Sequence, residues 1–191
     1  MPLDVHESSE ESRLRRVFAV AGTAAFFVLA PGVVAGYIPW TITHWLVHAP
    51  FPGFTELQAT GAVLMATGIP VLLECFARFA LQGVGTPAPV FPTQHLVVNG
   101  SYRFVRNPMY VSVLAILFGQ AMFFGSIAVA IYAACAWLIT HLFVVFYEEP
   151  TLLRTFGAQY EIYRKHVRRW IPRMSPWRGG EEESRAQAPE L

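Results

Sequence analysis

Charged positions divide this chain into long apolar runs separated by short polar clusters. From Asn107 to Tyr147, 41 residues pass without one Asp, Glu, Lys or Arg; Arg106 lies before them and Glu148-Glu149 after. A single helix of that length would be about 60 Å long at ~1.5 Å per residue. That is roughly twice the ~30 Å hydrocarbon core of a bilayer. The run therefore predicts a helical hairpin turning near Gly125-Ser126, with both polar clusters returned to one membrane face. Two further apolar runs give a four-span reading: 17–40, 59–81, 109–124 and 127–147. Pro31-Gly32 predicts a kink in the first span. After Glu148, Leu152, Phe156, Tyr160, Tyr163, Val167 and Trp170 recur every three or four residues, the spacing of one helix face. Arg154, Arg164, Lys165, Arg168 and Arg169 lie mostly elsewhere on the wheel, which suits an amphipathic helix on a membrane surface. The fold class that follows is all-α: a polytopic membrane helical bundle of about four or five transmembrane helices, closed by a C-terminal amphipathic cytoplasmic helix.

Composition supports this pattern. The 191 residues are 54% hydrophobic and 14% charged, against about a quarter charged in soluble domains. In the four-span arrangement all 14 Lys and Arg fall on one side, which predicts a multi-pass protein with both termini cytoplasmic. No dense basic stretch suggests nucleic acid as a partner. Cys75 and Cys135 each sit in an apolar run, and no Cys/His spacing points to a metal. His44 and His48, four apart beside Pro50 and Pro52, read as external-loop residues.

Organisation follows from the same pattern. Residues 1–12 predict a disordered N-terminus, and 13–57 the first transmembrane helix with its external loop. Residues 58–174 form the membrane core with a cytoplasmic site, and 175–191 a disordered tail. The link from Gln82 to Val105 carries Gly83, Gly85, Pro87, Pro89 and Pro92, which exclude a continuous helix.

The chemistry-bearing residues lie at the hairpin's two ends. Pro108 suits the first turn of a helix. That helix N-terminus, beside Arg106 and Asn107, favours an anion; on its own, Arg106 also reads as a snorkelling interface arginine. Glu148-Glu149 opposes the dipole of the helix it ends, so a cation should compensate it: Arg106, Arg154 or a positively charged ligand. Glu74 and Arg78 predict an i,i+4 ion pair. Gln120 and His141, single polar residues in apolar helices, predict interhelical hydrogen bonds. No glycine-rich nucleotide motif or nucleophile elbow occurs.

The string from Gln94 to Tyr110 (QHLVVNGSYRFVRNPMY) and that from Glu148 to Tyr163 (EEPTLLRTFGAQYEIY) together resemble the two signatures of the isoprenylcysteine carboxyl methyltransferase family. Membrane phospholipid methyltransferases share a looser form of the pattern, and the resemblance covers about residues 58–172. It implies an integral-membrane methyltransferase that uses S-adenosyl-L-methionine in a cytoplasmic pocket. The acceptor it implies is a lipophilic small molecule or lipid, carrying a carboxylate, thiol, amine or phenol and arriving from the bilayer. The matching cofactor-binding positions are Gln94, His95, Leu96, Val97, Tyr102, Asn107, Pro108, Met109, Tyr110 and Glu148. Arg106 and Glu149 are the candidate catalytic residues; an amine or phenol acceptor would need a base, for which Glu149 and His95 are available. Three positions depart from the pattern: Asn107 stands where many members have histidine, Pro87 where a glutamine is usual, and Val144 where prenylcysteine-specific members carry arginine. The competing readings are an NADPH-dependent membrane reductase related to sterol reductases and a non-catalytic membrane partner protein.

Overall fold

The computed structural model describes residues 29–48, 54–82, 96 and 98–179, and every regular element among them is helical. Residues 17–28 of the first apolar run, most of the proline-rich link, and Gln94, His95 and Val97 lie outside the described residues. A π-helical turn, Val33–Tyr37, leads into α1, Ile38–Thr43. The long helix α2 spans Phe54–Gln82, with Pro70 inside it. After a 3₁₀ turn at Gly100–Arg103 come α3, Pro108–Phe124, and α4, Ile127–Phe143. A second π turn, Val144–Glu148, carries α4 without a break into α5, Glu149–Phe156, and α6 follows at Ala158–His166.

The hairpin turns at Gly125 and Ser126. Gly125 ends α3 in the left-handed region at φ +66, and Ser126 caps α4 by accepting from the Val129 amide. The segment after α1 docks on this turn through the His48 amide, which donates to the Phe124 carbonyl at 3.0 Å. Helices α2 and α3 meet through small residues. A Cβ at Gly61 would lie 2.5 Å from the Gly119 carbonyl, and one at Gly68 2.9 Å from that of Ser112. Glycine there lets two apolar helices approach backbone to backbone, the usual device for helix pairs in lipid. Two of these helices, Phe54–Arg78 and Ile127–Phe156, are long and apolar enough to cross a membrane, and Pro108–Phe124 is a shorter apolar helix.

Gln120 and Tyr132 find partners across helices, whereas His141 is met not by a helix but by the irregular segment that follows α6. Gln120 Nε2 donates to the Ala35 carbonyl at 2.6 Å and Tyr132 Oη to that of Val34 at 3.0 Å. Both carbonyls belong to the first π turn, whose widened ladder leaves backbone groups in need of partners. The irregularity in this region is that turn, one residue after Gly32. Trp170 Nε1 donates to His141 Nδ1 at 3.1 Å.

Two expectations about the C-terminal region change. A single amphipathic helix through Trp170 is replaced by α5 and α6, broken at Gly157, which takes φ +50, and ended at His166. The chain then folds back as an irregular strap rather than ending its packing at 174. Trp177, only 8% exposed, packs with Tyr160, Tyr163 and Val167.

Candidate active site at the polar end of the helical hairpin

The strap ties the two ends of the hairpin together. The Arg106 amide donates to the Arg168 carbonyl, the Arg173 amide to that of Phe104 and the Trp177 amide to that of Arg103, each at 2.9 Å. Arg103 Nε returns a bond to the Trp177 carbonyl at 2.6 Å. From the other side, the 3₁₀ turn is fixed on α2. Ser101 Oγ donates to Glu74 Oε2 at 2.6 Å, and Arg78 pairs with the other oxygen of the same carboxylate. Gly100, at φ +57, lies so close over this pair that a Cβ would meet both side chains.

Tyr102 is thereby set near Cys75 of α2 and Glu148 of the second π turn. Its backbone carbonyl accepts from Tyr163 Oη at 2.6 Å. Burial first, then the proximity of Cys75, Glu148, Tyr163 and Tyr110, hold its phenol well above the usual range. Asn107 precedes α3, with Pro108 in the first turn, and its side chain caps no amide of that helix. It is buried and donates from Nδ2 to the Arg169 carbonyl at 3.2 Å. The early amides of α3 are thus left to other partners.

The glutamate doublet divides. Glu148 accepts from Tyr110 Oη at 3.1 Å and forms no ion pair among the described residues. Glu149 is gripped by two guanidinium groups. Arg169 binds it through Nε to Oε1 at 2.6 Å and Nη2 to Oε2 at 2.8 Å, and Arg106 Nη1 lies 3.1 Å from Oε1. The bidentate bond keeps the Arg169 guanidinium more firmly charged than usual. Arg106 Nη1 also donates to Tyr160 Oη at 3.1 Å, while Arg106 Nε is buried with no hydrogen-bond partner among the described residues.

Of the sequence-predicted positions, Tyr102, Tyr110 and Glu148 come together. Arg106 and Glu149 meet each other, and Asn107 turns to the strap. Met109 packs beside Leu72, Phe76 and Ile116 in the helical core, and Leu96 against the Tyr160–Tyr163–Trp177 cluster. Arg154 is not a partner of the doublet; it bonds the Pro150 carbonyl and Thr151. Sequence reasoning missed Arg169. Its one available signal was the Arg168-Arg169 doublet, which reads as part of a basic helix face.

Searches of curated proteins and of solved structures return no match. Residues 57–159, from α2 into the start of α6, match the phospholipid methyltransferase family. That segment is more than half of the chain and includes both ends of the hairpin, and the chain belongs to the phospholipid methyltransferase family.

Proposed function

We propose that this protein is a multi-pass integral-membrane methyltransferase that binds S-adenosylmethionine at the polar end of the α3–α4 hairpin and methylates a lipophilic acceptor reached from the bilayer. The observation that carries this reading is Glu148: a partly buried carboxylate, held by Tyr110 and without a cation against it among the described residues. A group of that kind is costly unless a positive ligand compensates it. The cofactor's sulfonium and ammonium are such charges. Its carboxylate suits the early amides of α3 and the spare Arg106 Nε. Tyr102 and Tyr110 would bound the pocket, and Gln94, His95, Leu96 and Val97 are proposed to complete it.

S-adenosylmethionine supplies a methyl group on a good leaving group, so the protein need furnish no acid. The chain's contribution is alignment and exclusion of water. Glu149, with both oxygens on guanidinium groups, is a structural anchor in this reading rather than a base. Val144, fully buried in the second π turn, offers no cation for a prenylcysteine carboxylate. A phospholipid or another lipophilic acceptor is the reading we favour. Ile127, Ile131, Ile139 and Phe146 are exposed along α4 and the π turn, as a lipid-facing side requires. The one-sided distribution of Lys and Arg supports four spans with the site and both termini in the cytoplasm.

The test is transfer of label. Purified protein in bilayer nanodiscs, incubated with methyl-tritiated S-adenosylmethionine and a total lipid extract, should yield a labelled lipid identifiable by mass spectrometry. Binding of NADPH with no binding of S-adenosylmethionine would overturn the reading.

A further inference from the structure

The family match ends at residue 159, yet the site's ion cluster is completed ten residues later. We infer that Arg169 is a positioning residue: by holding both oxygens of Glu149 it leaves Arg106 free to direct its Nε–H at a bound anion. This inference rests on the proposed S-adenosylmethionine site.

The argument begins with the sharing of Glu149. Its side chain is 14% exposed and that of Arg106 10%, so both are largely withdrawn from water. Arg169 takes the carboxylate in a fork, with bonds of 2.6 and 2.8 Å. Arg106 is left a single contact to Oε1 at 3.1 Å, through Nη1 alone. A buried carboxylate facing one arginine ordinarily draws that arginine into a two-point fork. Here the second point is already taken, so the Arg106 Nε–H stays buried and, among the described residues, unpartnered. The rest of the local structure keeps this geometry in register. The Arg106 amide is bonded to the Arg168 carbonyl and the Asn107 side chain to the Arg169 carbonyl, which docks residues 106–107 directly on 168–169. Tyr160 fixes the other side of the Arg106 guanidinium.

Removing Arg169 should therefore act through Arg106. With the fork gone, Glu149 recruits Arg106 onto both oxygens and withdraws its Nε from the site. Neutralising Glu149 in the same molecule should release Arg106 again. The experiment is a double-mutant cycle on the full-length protein in detergent, reading equilibrium binding of tritiated S-adenosylmethionine together with the melting temperature. Arg169→Gln should weaken binding by about 10- to 100-fold, the scale of a misplaced binding group. Arg169→Gln combined with Glu149→Gln should bind more tightly than Arg169→Gln alone. Arg169→Lys keeps the charge but not the fork; it should fall between wild type and Arg169→Gln, and it carries the comparison where Arg169→Gln does not fold. Losses that simply add in the double variant, or wild-type affinity in Arg169→Gln, would overturn the inference. Wild-type protein that binds no S-adenosylmethionine would sink the functional proposal instead. The melting temperatures then decide the clamp: rescue of Arg169→Gln by Glu149→Gln supports it, and additive losses reject it.

Discussion

Replacing Glu148 with Gln keeps the side chain's shape, leaves Tyr110 a partner and removes one negative charge. Among the described residues that charge receives one hydrogen bond, of 3.1 Å from the Tyr110 phenol. Two unit charges about 4 Å apart attract by about 4 kcal/mol at an effective dielectric constant of about 20. Taking a cation out of water cancels a large part of this, roughly half, which leaves about 2 kcal/mol. At 1.4 kcal/mol per tenfold, Glu148→Gln should weaken S-adenosylmethionine binding by about 30-fold. The same change should leave the melting temperature equal or higher, because an amide is cheaper to bury than a carboxylate without a counterion. Opposite effects on binding and on stability mark a group that faces a ligand; a structural carboxylate would lose both together. The assay is equilibrium binding of labelled cofactor to purified protein, with a thermal melt of each sample. Wild-type affinity in Glu148→Gln, or a fall in melting temperature that tracks the loss of binding, would refute the reasoning.

Three further outcomes follow from the packing. Gly61→Leu should lower the melting temperature by the equivalent of about 1–3 kcal/mol, since its Cβ would lie 2.5 Å from the Gly119 carbonyl; Gly36→Ala, with nothing within 4 Å among the described residues, should leave it unchanged or raise it. Deleting Val145 should convert the second π turn to regular helix and abolish cofactor binding, with the far-ultraviolet helical signal retained. Tyr102, Tyr160 and Tyr163 all have phenols raised above 10.0 chiefly by burial, so the stability they add is complete below pH 10 and is lost as pH climbs through their folded values. Thermal melts across that alkaline range should show the fall, and Tyr163→Phe should make it shallower while costing stability at pH 7 through the lost bond to the Tyr102 carbonyl.

What could be read in advance was whatever depends on spacing and on local chemistry. The uncharged run forced a hairpin because one helix of that length would overshoot a bilayer. Gly125 supplied the left-handed residue the turn needed, and Pro108 marked the start of α3. The Glu74–Arg78 pair follows from helical spacing alone, whereas its third member, Ser101, lies 27 residues away along the chain. Pairings across that kind of distance were not legible. Nothing in the periodicity after Glu148 distinguishes Arg169 from Arg164 or Arg168, and only the backward fold of the strap brings it to Glu149. The break at Gly157 and the burial of Trp177 were hidden for a related reason. An amphipathic pattern states which residues want shelter, not that the chain reverses to give it.

The second π turn explains how two adjacent glutamates come to do different work. In regular helix the phase of Glu148 would be fixed by the buried face of α4, which carries Val129 and Ala133. Closing one turn with the Glu149 amide on the Val144 carbonyl adds a residue to that turn. Everything after it is then rotated by roughly the 100° that one residue occupies in an α-helix. The rotation sets Glu148 against Tyr110 at the start of α3 and delivers Glu149 to the Arg106–Arg169 pair. One carboxylate is thus fully matched by arginines and locks the strap to the hairpin. Its neighbour, carried on the same rigid turn, is positioned by that lock yet left without a charge partner among the described residues. Rigid placement of an uncompensated charge is the arrangement a site for a cationic ligand requires, because the strain of holding the charge in place is borne by the fold before the ligand arrives.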